Sequence, residues 1–475
     1  MSLRKKTIHG LGWSFGARIF RQISQFVVLA ILARLLTPND FGLIGMVGVF
    51  LGFASIFGEL GITAAIIQNQ NLEEKHYTSA FWINIVAGIG LMLIFIVCSQ
   101  LIANFYNKPV LEDVIKLISF NFILSSFTVI QLAILKKEMN FKLIAIAESI
   151  AVVIAGVIGI YLAFHGYGVW SLVFQLMVFT FVNGCLLWIF STWRPKFVFS
   201  GEAVKDIFNF SANVTGFNIV NYFARNIDYL LIGRFLGAGA LGFYTLAYKI
   251  MLYPLYNISY VIGGVMFPAF SKIQNDLDKV RNSYLKMVKA ISLITFPLML
   301  GLFVVAPEFI RVLFGAQWEP VIPLFRILCF CGMFQSIGTT IGNIFMSQGR
   351  SDLQLKLQLI GTFIVVIMIT VGLNWGIKGV ALFYTLYSFG WVSVGISLSN
   401  KLIKLKPKRF FRSIFPAIIV AIIIAASIFF LRVFVASSDL NVLLLSLFLG
   451  ISVYLAAMIV LKQILIKKHG VFLNI

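Results

Sequence analysis

Long apolar stretches separated by short polar segments run along almost the whole 475-residue chain. A bilayer core requires roughly 20 mostly apolar residues per spanning helix, and the chain contains about 14 stretches of this kind. They lie near residues 10–36, 41–68, 77–102, 111–135, 143–164, 168–191, 207–236, 241–271, 284–306, 320–347, 353–373, 377–400, 412–435 and 440–466. The pattern therefore predicts an all-α, polytopic membrane protein with about 14 transmembrane helices.

One short motif occurs twice in this pattern. Residues 33–43 and 233–243 both read small residue, Arg, any residue, Leu, and then, after four positions, an apolar residue, Gly and a second apolar residue. The copies begin six predicted helices apart, an even number, so both halves enter the membrane in the same orientation. We expect two parallel six-helix lobes, residues 1–200 and 201–400, followed in 401–475 by a basic loop and two extra C-terminal helices.

The positions of the basic residues predict the orientation. A net charge of +21 suggests nucleic acid in a soluble protein, but 60% of these residues are hydrophobic and only 12% are charged. With the N-terminus inside, only Lys108, Arg311 and Lys378 fall in outer loops. Because Lys and Arg accumulate on the cytoplasmic side, we expect a multi-pass protein of the cytoplasmic membrane with both termini inside and no nucleic-acid partner. Anionic membrane lipids explain the basic loop that begins at Lys401.

Polar side chains recur on one face of predicted helix 1. Ser14, Arg18, Arg21, Gln22 and Gln25 follow the helical spacing i, i+4, i+7, i+8 and i+11. A charge at membrane depth costs about 2.5–3.5 kcal/mol on insertion scales, so such residues face a water-filled cavity or pair with an opposite charge. Glu59 of predicted helix 2 lies at the depth of Arg18 and Arg21, which leaves open both a structural ion pair and a ligand-binding role.

Predicted helix 7 carries a second polar face. Its members are Asn218, Asn221, Arg225 and Asp228. Arg225 lies about 15 Å from the outer turn, near the midplane of the membrane. Arg225 and Asp228 are one turn apart. Either they neutralise each other, or Arg225 binds a ligand while Asp228 binds a coupling ion.

Predicted helix 8 adds Lys249 and a series of tyrosines. The tyrosines occupy positions 244, 248, 253, 256 and 260. They either line a passage for sugar rings or anchor the helix at the membrane interface, where Tyr is enriched.

Several enzyme classes are excluded by missing motifs. The chain contains neither a Gly-x-x-x-x-Gly-Lys-Ser/Thr phosphate loop nor a His-Glu-x-x-His zinc motif. Its loops are short and carry no paired carboxylates of the kind that glycosyl chemistry requires. We therefore predict a transporter with no catalytic residues, no metal site and no cofactor.

The two motif copies with their flanking residues, 32–42 and 226–237, resemble the corresponding segments of Wzx-type polysaccharide and lipopolysaccharide exporters. That branch includes the colanic acid and teichuronic acid exporters of the multidrug, oligosaccharidyl-lipid and polysaccharide exporter superfamily. The resemblance implies a flippase that moves undecaprenyl-pyrophosphate-linked oligosaccharide to the periplasmic face, with a polysaccharide polymerase and glycosyltransferases as partners. It also implies two lobes that alternate around a cationic cavity and are driven by H⁺ or Na⁺.

Arginine forks suit pyrophosphate through bidentate hydrogen bonds, so this resemblance assigns roles to the polar residues. The expected substrate-binding residues are Arg18, Arg21, Gln25, Asn218, Asn221, Arg225 and Lys249. The ion-coupling candidates are Asp228 and Glu59. The alternative is a cation-coupled multidrug antiporter of the same superfamily, for which we expect carboxylates rather than arginines in the cavity.

Overall fold

The computed structural model describes residues 3–59, 63, 66, 72–435 and 437–469. It describes the side chains of these residues except those of 3–15, 17, 18, 55–59, 202–221, 223–225, 260, 264, 265, 267 and 464–469. All the regular elements within the described residues are helices. The all-α class is thus confirmed.

Among the described residues of the first half of the chain, seven helices precede a much longer eighth one. They are α1 (Leu3–Leu35), α2 (Pro38–Glu59), α3 (Glu74–Tyr106), α4 (Val110–Ser126), α5 (Val129–Lys137), α6 (Phe141–Phe164), α7 (Val169–Phe190) and α8 (Gly201–Pro254). The turn between α1 and α2 is closed locally, because the Asp40 carboxylate accepts hydrogen bonds from the Thr37 backbone N–H (2.9 Å) and hydroxyl (2.6 Å). Pro38 begins α2, a position where its missing N–H costs nothing.

The second half continues from α8 through a π-helical turn, Leu255–Ser259. Its helices are α9 (Tyr260–Lys272), α10 (Leu277–Val304), α11 (Ala306–Phe314), α12 (Val321–Ser347), α13 (Ser351–Gly372), α14 (Gly376–Leu402), α15 (Pro407–Phe434) and α16 (Asp439–His469). Short 3₁₀ turns, Ala316–Trp318 and Leu373–Trp375, precede α12 and α14.

Ten segments of the described residues are long and apolar enough to cross a membrane. Two of these segments contain a break in the helix. Asn226–Lys272 is interrupted at Gly237, whose φ of 85° is left-handed, and Ser351–Leu402 includes the 3₁₀ turn before α14. A glycine suits the first break because it adopts positive φ without steric cost. The protein is a multi-pass membrane protein, while the number of 14 helices stays a prediction.

The helices form two compact units, Met1–Gly242 and Phe243–Ile475. In the first unit α6 packs along both α1 and α7, and α3 packs along α4. In the second unit α14 packs along both α12 and α13, while α10 packs along α15. The division into residues 1–200, 201–400 and 401–475 stays a prediction about the duplicated sequence.

The two C-terminal helices belong to the second unit, a placement that the sequence pattern left open. α15 packs on α10, and α16 contacts both α15 and α11. An ion pair ties α15 to α11, since Arg432 Nη2 lies 2.8 Å from Glu308 Oε1. Arg432 also donates to the Val304 carbonyl at 2.8 Å, which fixes the end of α15 against the end of α10.

Candidate functional site

An ion pair joins Arg21 on α1 to Glu148 on α6. The side chains are 29% and 31% exposed, so the pair is neither dry nor fully solvated. The Arg21 Nε is buried and has no hydrogen-bond partner among the described residues. Arg21 is thus held in place by one carboxylate, and its partly exposed guanidinium has further N–H donors beyond that pair.

Sequence reasoning missed Glu148 as the partner of Arg21. A signal was present, because Glu148 is the only acidic residue in the apolar stretch 143–164. The helical spacing that placed Arg21 on a polar face gave no information about which distant helix packs against that face. The alternative partner, Glu59, has its side chain outside the described residues.

Gln25 and Arg18 are the remaining candidates of predicted helix 1. The Gln25 side chain is exposed on α1, on the same helix as Arg21. The Arg18 side chain lies outside the part that the structure describes, although its backbone is helical. The roles of Arg18 and Gln25 in substrate binding stay predictions.

The first half of α8 carries the candidates of predicted helix 7. The side chains of Asn218, Asn221 and Arg225 lie outside the described residues. One helical turn away, the Asp228 side chain is buried, and its Oδ1 accepts a hydrogen bond from the Tyr229 backbone N–H at 2.9 Å. The proposed coupling role of Asp228 and its pairing with Arg225 both stay predictions.

The same part of α8 packs against α2 through a tyrosine. The Tyr222 hydroxyl donates to the Val49 carbonyl at 2.7 Å and lies 3.2 Å from the Gly48 carbonyl oxygen. Tyr222 occupies the position equivalent to Gln22 in the duplicated sequence.

The two motif copies touch each other at their glycines. A Cβ added to Gly42 would overlap the Ala238 carbonyl, and one added to Gly242 would overlap the Pro38 carbonyl. These contacts are reciprocal, because Gly42 and Gly242 are equivalent in the repeat, as are Pro38 and Ala238. Glycine at both positions lets the two helix ends approach more closely than any other residue allows.

Lys249 lies on the second half of α8 with an exposed side chain. It follows Ala238 by 11 residues, so it lies about 16 Å from that end of the helix, at membrane depth. No residue that the structure describes forms an ion pair with it, and the segment Asn226–Lys272 is predominantly apolar. Because a lone cation at this depth avoids lipid, this face of α8 favours water or an anionic ligand.

The tyrosines of predicted helix 8 lie in different environments. Tyr244 is fully buried, and Tyr248 stacks on it with ring centroids 5.8 Å apart. Tyr256 is exposed and Tyr253 is half-buried, both on the helix face that Lys249 shares. The buried Tyr244 is a packing residue, so only part of the series is accessible to a sugar.

Comparisons with known proteins identify the family of the chain. The profile of the family described as "Polysaccharide biosynthesis protein" matches residues 31–323. Over 378 residues the chain is 32% identical to the lipopolysaccharide biosynthesis protein WzxC of Escherichia coli strain K12, covering 78% of this chain and 76% of that protein. It is 30% identical to the teichuronic acid biosynthesis protein TuaB of Bacillus subtilis strain 168, covering 74% of this chain and 73% of TuaB.

A solved structure shows the same fold. The lipid II flippase MurJ, in an inward closed conformation, matches with a TM-score of 0.78 at 17% identity, covering 95% of this chain and 99% of MurJ. At this identity the likeness concerns the fold alone. Together with the relatives it identifies a transporter rather than an enzyme, as the sequence predicted.

Proposed function

Because this chain belongs to the polysaccharide biosynthesis protein family of Wzx-type exporters, we propose that it translocates undecaprenyl-pyrophosphate-linked oligosaccharide across the cytoplasmic membrane. The product serves surface polysaccharide biosynthesis. Both termini lie in the cytoplasm, because the excess of Lys and Arg in the predicted inner loops favours this orientation of the chain. Glycosyltransferases act before this step, and a polysaccharide polymerase acts after it.

The observation that carries the proposal is the state of two cations at membrane depth. Lys249 is exposed and has no partner among the described residues, and Arg21 is about one-third exposed with an unbonded Nε. An apolar chain retains accessible cations at this depth when they serve a ligand. A pyrophosphate diester supplies the oxygens that such donors bind through charge-assisted hydrogen bonds.

The remaining candidates take roles around these two cations. Arg18 and Arg225 supply further positive charge for the pyrophosphate, while Gln25, Asn218 and Asn221 bind polar substrate groups. Transport proceeds by alternating access and is coupled to H⁺ or Na⁺ through Asp228 or Glu59. Support for the coupling comes from the sequence, in which Asp228 belongs to the polar face of predicted helix 7 and Glu59 lies at the depth of Arg18 and Arg21.

A multidrug antiporter is not favoured. An antiporter for cationic drugs requires carboxylates that are accessible and not neutralised, whereas Glu148 is paired with Arg21 and Lys249 is an exposed cation. The Asp228 carboxylate is buried, and its Oδ1 accepts a backbone hydrogen bond.

The test is complementation of a host strain that lacks this gene. A hydrogen bond to a charged group contributes about 1.5–3 kcal/mol, so Lys249→Gln should weaken substrate binding roughly tenfold or more. We expect Lys249→Gln and Arg21→Gln to reduce surface polysaccharide strongly and to leave lipid-linked oligosaccharide on the inner face. Lys462→Gln, which removes an exposed lysine from α16, is the matched control and should export normally.

Two results would contradict the proposal. One is a deletion strain that makes normal surface polysaccharide and accumulates no lipid-linked oligosaccharide. The other is normal export by both variants at wild-type protein levels in the membrane. Flux in vesicles with Asp228→Asn tests coupling separately, because unchanged gradient dependence would exclude that carboxylate.

A further inference from the structure

We propose that one face of α14 binds the sugar rings of the substrate, an assignment that rests on the proposed function. The face consists of Tyr384, Tyr387 and Trp391, hereafter the aromatic ladder. Positions i, i+3 and i+7 lie on one side of a helix, and together they extend about 10 Å along its axis. Ring centroids of Tyr384 and Tyr387 are 6.3 Å apart, and those of Tyr387 and Trp391 are 6.2 Å apart with planes within 13°.

The ladder does not face the lipid. Leu382, Leu386 and Phe389 are the exposed large apolar residues of this part of α14, and they lie on the opposite side of the helix. The three ladder residues are half-buried instead. Their accessible part therefore opens toward the interior of the second unit rather than toward acyl chains.

The ladder also lies too deep to be an interfacial anchor. Tyr384 follows the start of α14 at Gly376 by eight residues, about 12 Å. Trp391 precedes the end at Leu402 by eleven residues, about 16 Å. Aromatic belts occur at the two membrane interfaces, so their usual explanation does not fit these positions.

Two polar edges of the ladder are unused by the protein. The Tyr387 hydroxyl and the Trp391 indole N–H both approach Gly361 of α13, where an added Cβ would lie 2.8 Å and 2.5 Å from them. Neither group hydrogen-bonds to any residue in the described part of the chain. Since buried Tyr and Trp usually find a hydrogen-bond partner, two unbonded polar edges on a half-buried helix face suit a polar ligand.

The other end of the ladder is held next to the exposed cation. The Tyr384 hydroxyl lies 2.9 Å from that of Tyr248 and accepts a hydrogen bond from Gln335 Nε2 at 3.1 Å. Gln335 Nε2 is also 3.3 Å from the Ser388 hydroxyl. Tyr248 immediately precedes Lys249 on α8. Tyr384 is thus hydrogen-bonded to the residue next to Lys249 along α8, which places the ladder within one helical turn of the position where the pyrophosphate is proposed to bind.

This chemistry matches an oligosaccharide. A pyranose ring presents C–H groups on its faces and hydroxyls around its edge. The faces pack on aromatic rings, while the hydroxyls bind the Tyr387 hydroxyl, the Trp391 N–H and the Gln335 amide. Because the stacking surface carries no charge, it binds sugars of varied sequence. The pyrophosphate is bound by the cations instead.

The test compares two lipid probes on the full-length protein purified in detergent. Native mass spectrometry measures binding of undecaprenyl pyrophosphate and of the lipid-linked oligosaccharide fraction extracted from the host's membranes. An aromatic contact contributes about 0.5–1.5 kcal/mol, so Trp391→Leu should weaken oligosaccharide-lipid binding by about twofold to tenfold. Binding of bare undecaprenyl pyrophosphate should not change.

Matched variants separate recognition from folding. Tyr387→Phe removes only the hydroxyl and Trp391→Phe keeps an aromatic ring, so both should lose less affinity than Trp391→Leu. Phe389→Leu removes an exposed aromatic residue from the same helix and should bind both probes as wild type does. Thermal unfolding of each variant reports whether the fold is intact.

Each outcome addresses one proposal. If the wild type binds both probes equally, or if Trp391→Leu and Tyr387→Phe bind the oligosaccharide-lipid as wild type does, the sugar assignment is overturned and the proposed function stands. If the wild type binds neither probe, the proposed function fails and the sugar assignment fails with it.

Discussion

Replacement of Gly42 by alanine tests the reciprocal contact between the two motif copies. An added Cβ at Gly42 would overlap the Ala238 carbonyl and lie 2.9 Å from Ala238 Cα, whereas ordinary contact begins near 3.4 Å. The helix end must therefore retreat by at least 0.5 Å at that atom (3.4 − 2.9) and further at the carbonyl. The obstacle is backbone, so a side-chain rotation cannot relieve it.

The magnitude follows from a comparison within the same helix. Gly48 also lies on α2, and an added Cβ there meets nothing within 4 Å. Gly48→Ala should gain up to about 1 kcal/mol from helix propensity alone. Gly42→Ala gains the same amount but pays an overpacking cost of about 1–3 kcal/mol. We expect Gly42→Ala to be less stable than Gly48→Ala by roughly 1–3 kcal/mol, which is the overpacking cost.

The assay is thermal unfolding of the purified variants in one detergent, together with surface polysaccharide in complemented cells. Gly242→Ala should behave like Gly42→Ala, because its added Cβ meets the Pro38 carbonyl in the same way. If Gly42→Ala unfolds at the same temperature as Gly48→Ala, the close approach of the two helix ends is not a feature of the folded protein.

Two further predictions concern ion pairs. Glu148→Gln should destabilise the protein because it leaves Arg21 uncompensated at membrane depth, and a double-mutant cycle with Arg21→Gln should show coupling; additive effects would contradict the pairing. Arg432→Met should cost roughly 2–4 kcal/mol, since Glu308 is 9% exposed and a buried pair is expensive to break from one side. Arg311→Met, which breaks an exposed pair, should cost less than about 1 kcal/mol in the same melting assay.

Hydrophobic periodicity was sufficient for the all-α class of fold. Apolar length predicts spanning helices because the bilayer fixes the number of residues required. The count of 14 helices stays a prediction. A break such as Gly237 depends on one dihedral angle, and ten described segments meet the spanning criteria.

In the candidate site, too, the sequence predicted contacts within one helix but not contacts between distant helices. Spacing along α1 placed Arg21 on a polar face, since helical periodicity is local. Its partner Glu148 lies 127 residues away on α6, and only packing brings the two together. The aromatic ladder was missed for a different reason, because Tyr and Trp in an apolar helix also serve as core or interface residues.

The internal repeat is preserved where the copies constrain each other and lost where they do not. Gly42 meets the Ala238 carbonyl while Gly242 meets the Pro38 carbonyl, so a side chain at either glycine pushes apart the same two helix ends. In the sequence the two polar faces differ, since Arg21 has Asn221 as its counterpart. A lipid-linked oligosaccharide is itself asymmetric, with a charged pyrophosphate at one end and neutral or weakly charged rings beyond it. Two identical polar faces would bind the same group twice, so the proposed function requires that the copies diverge at ligand-facing positions alone.

Restoring symmetry by Asn221→Arg should therefore reduce export while leaving thermal stability close to that of wild type. Export equal to wild type would contradict this division of roles.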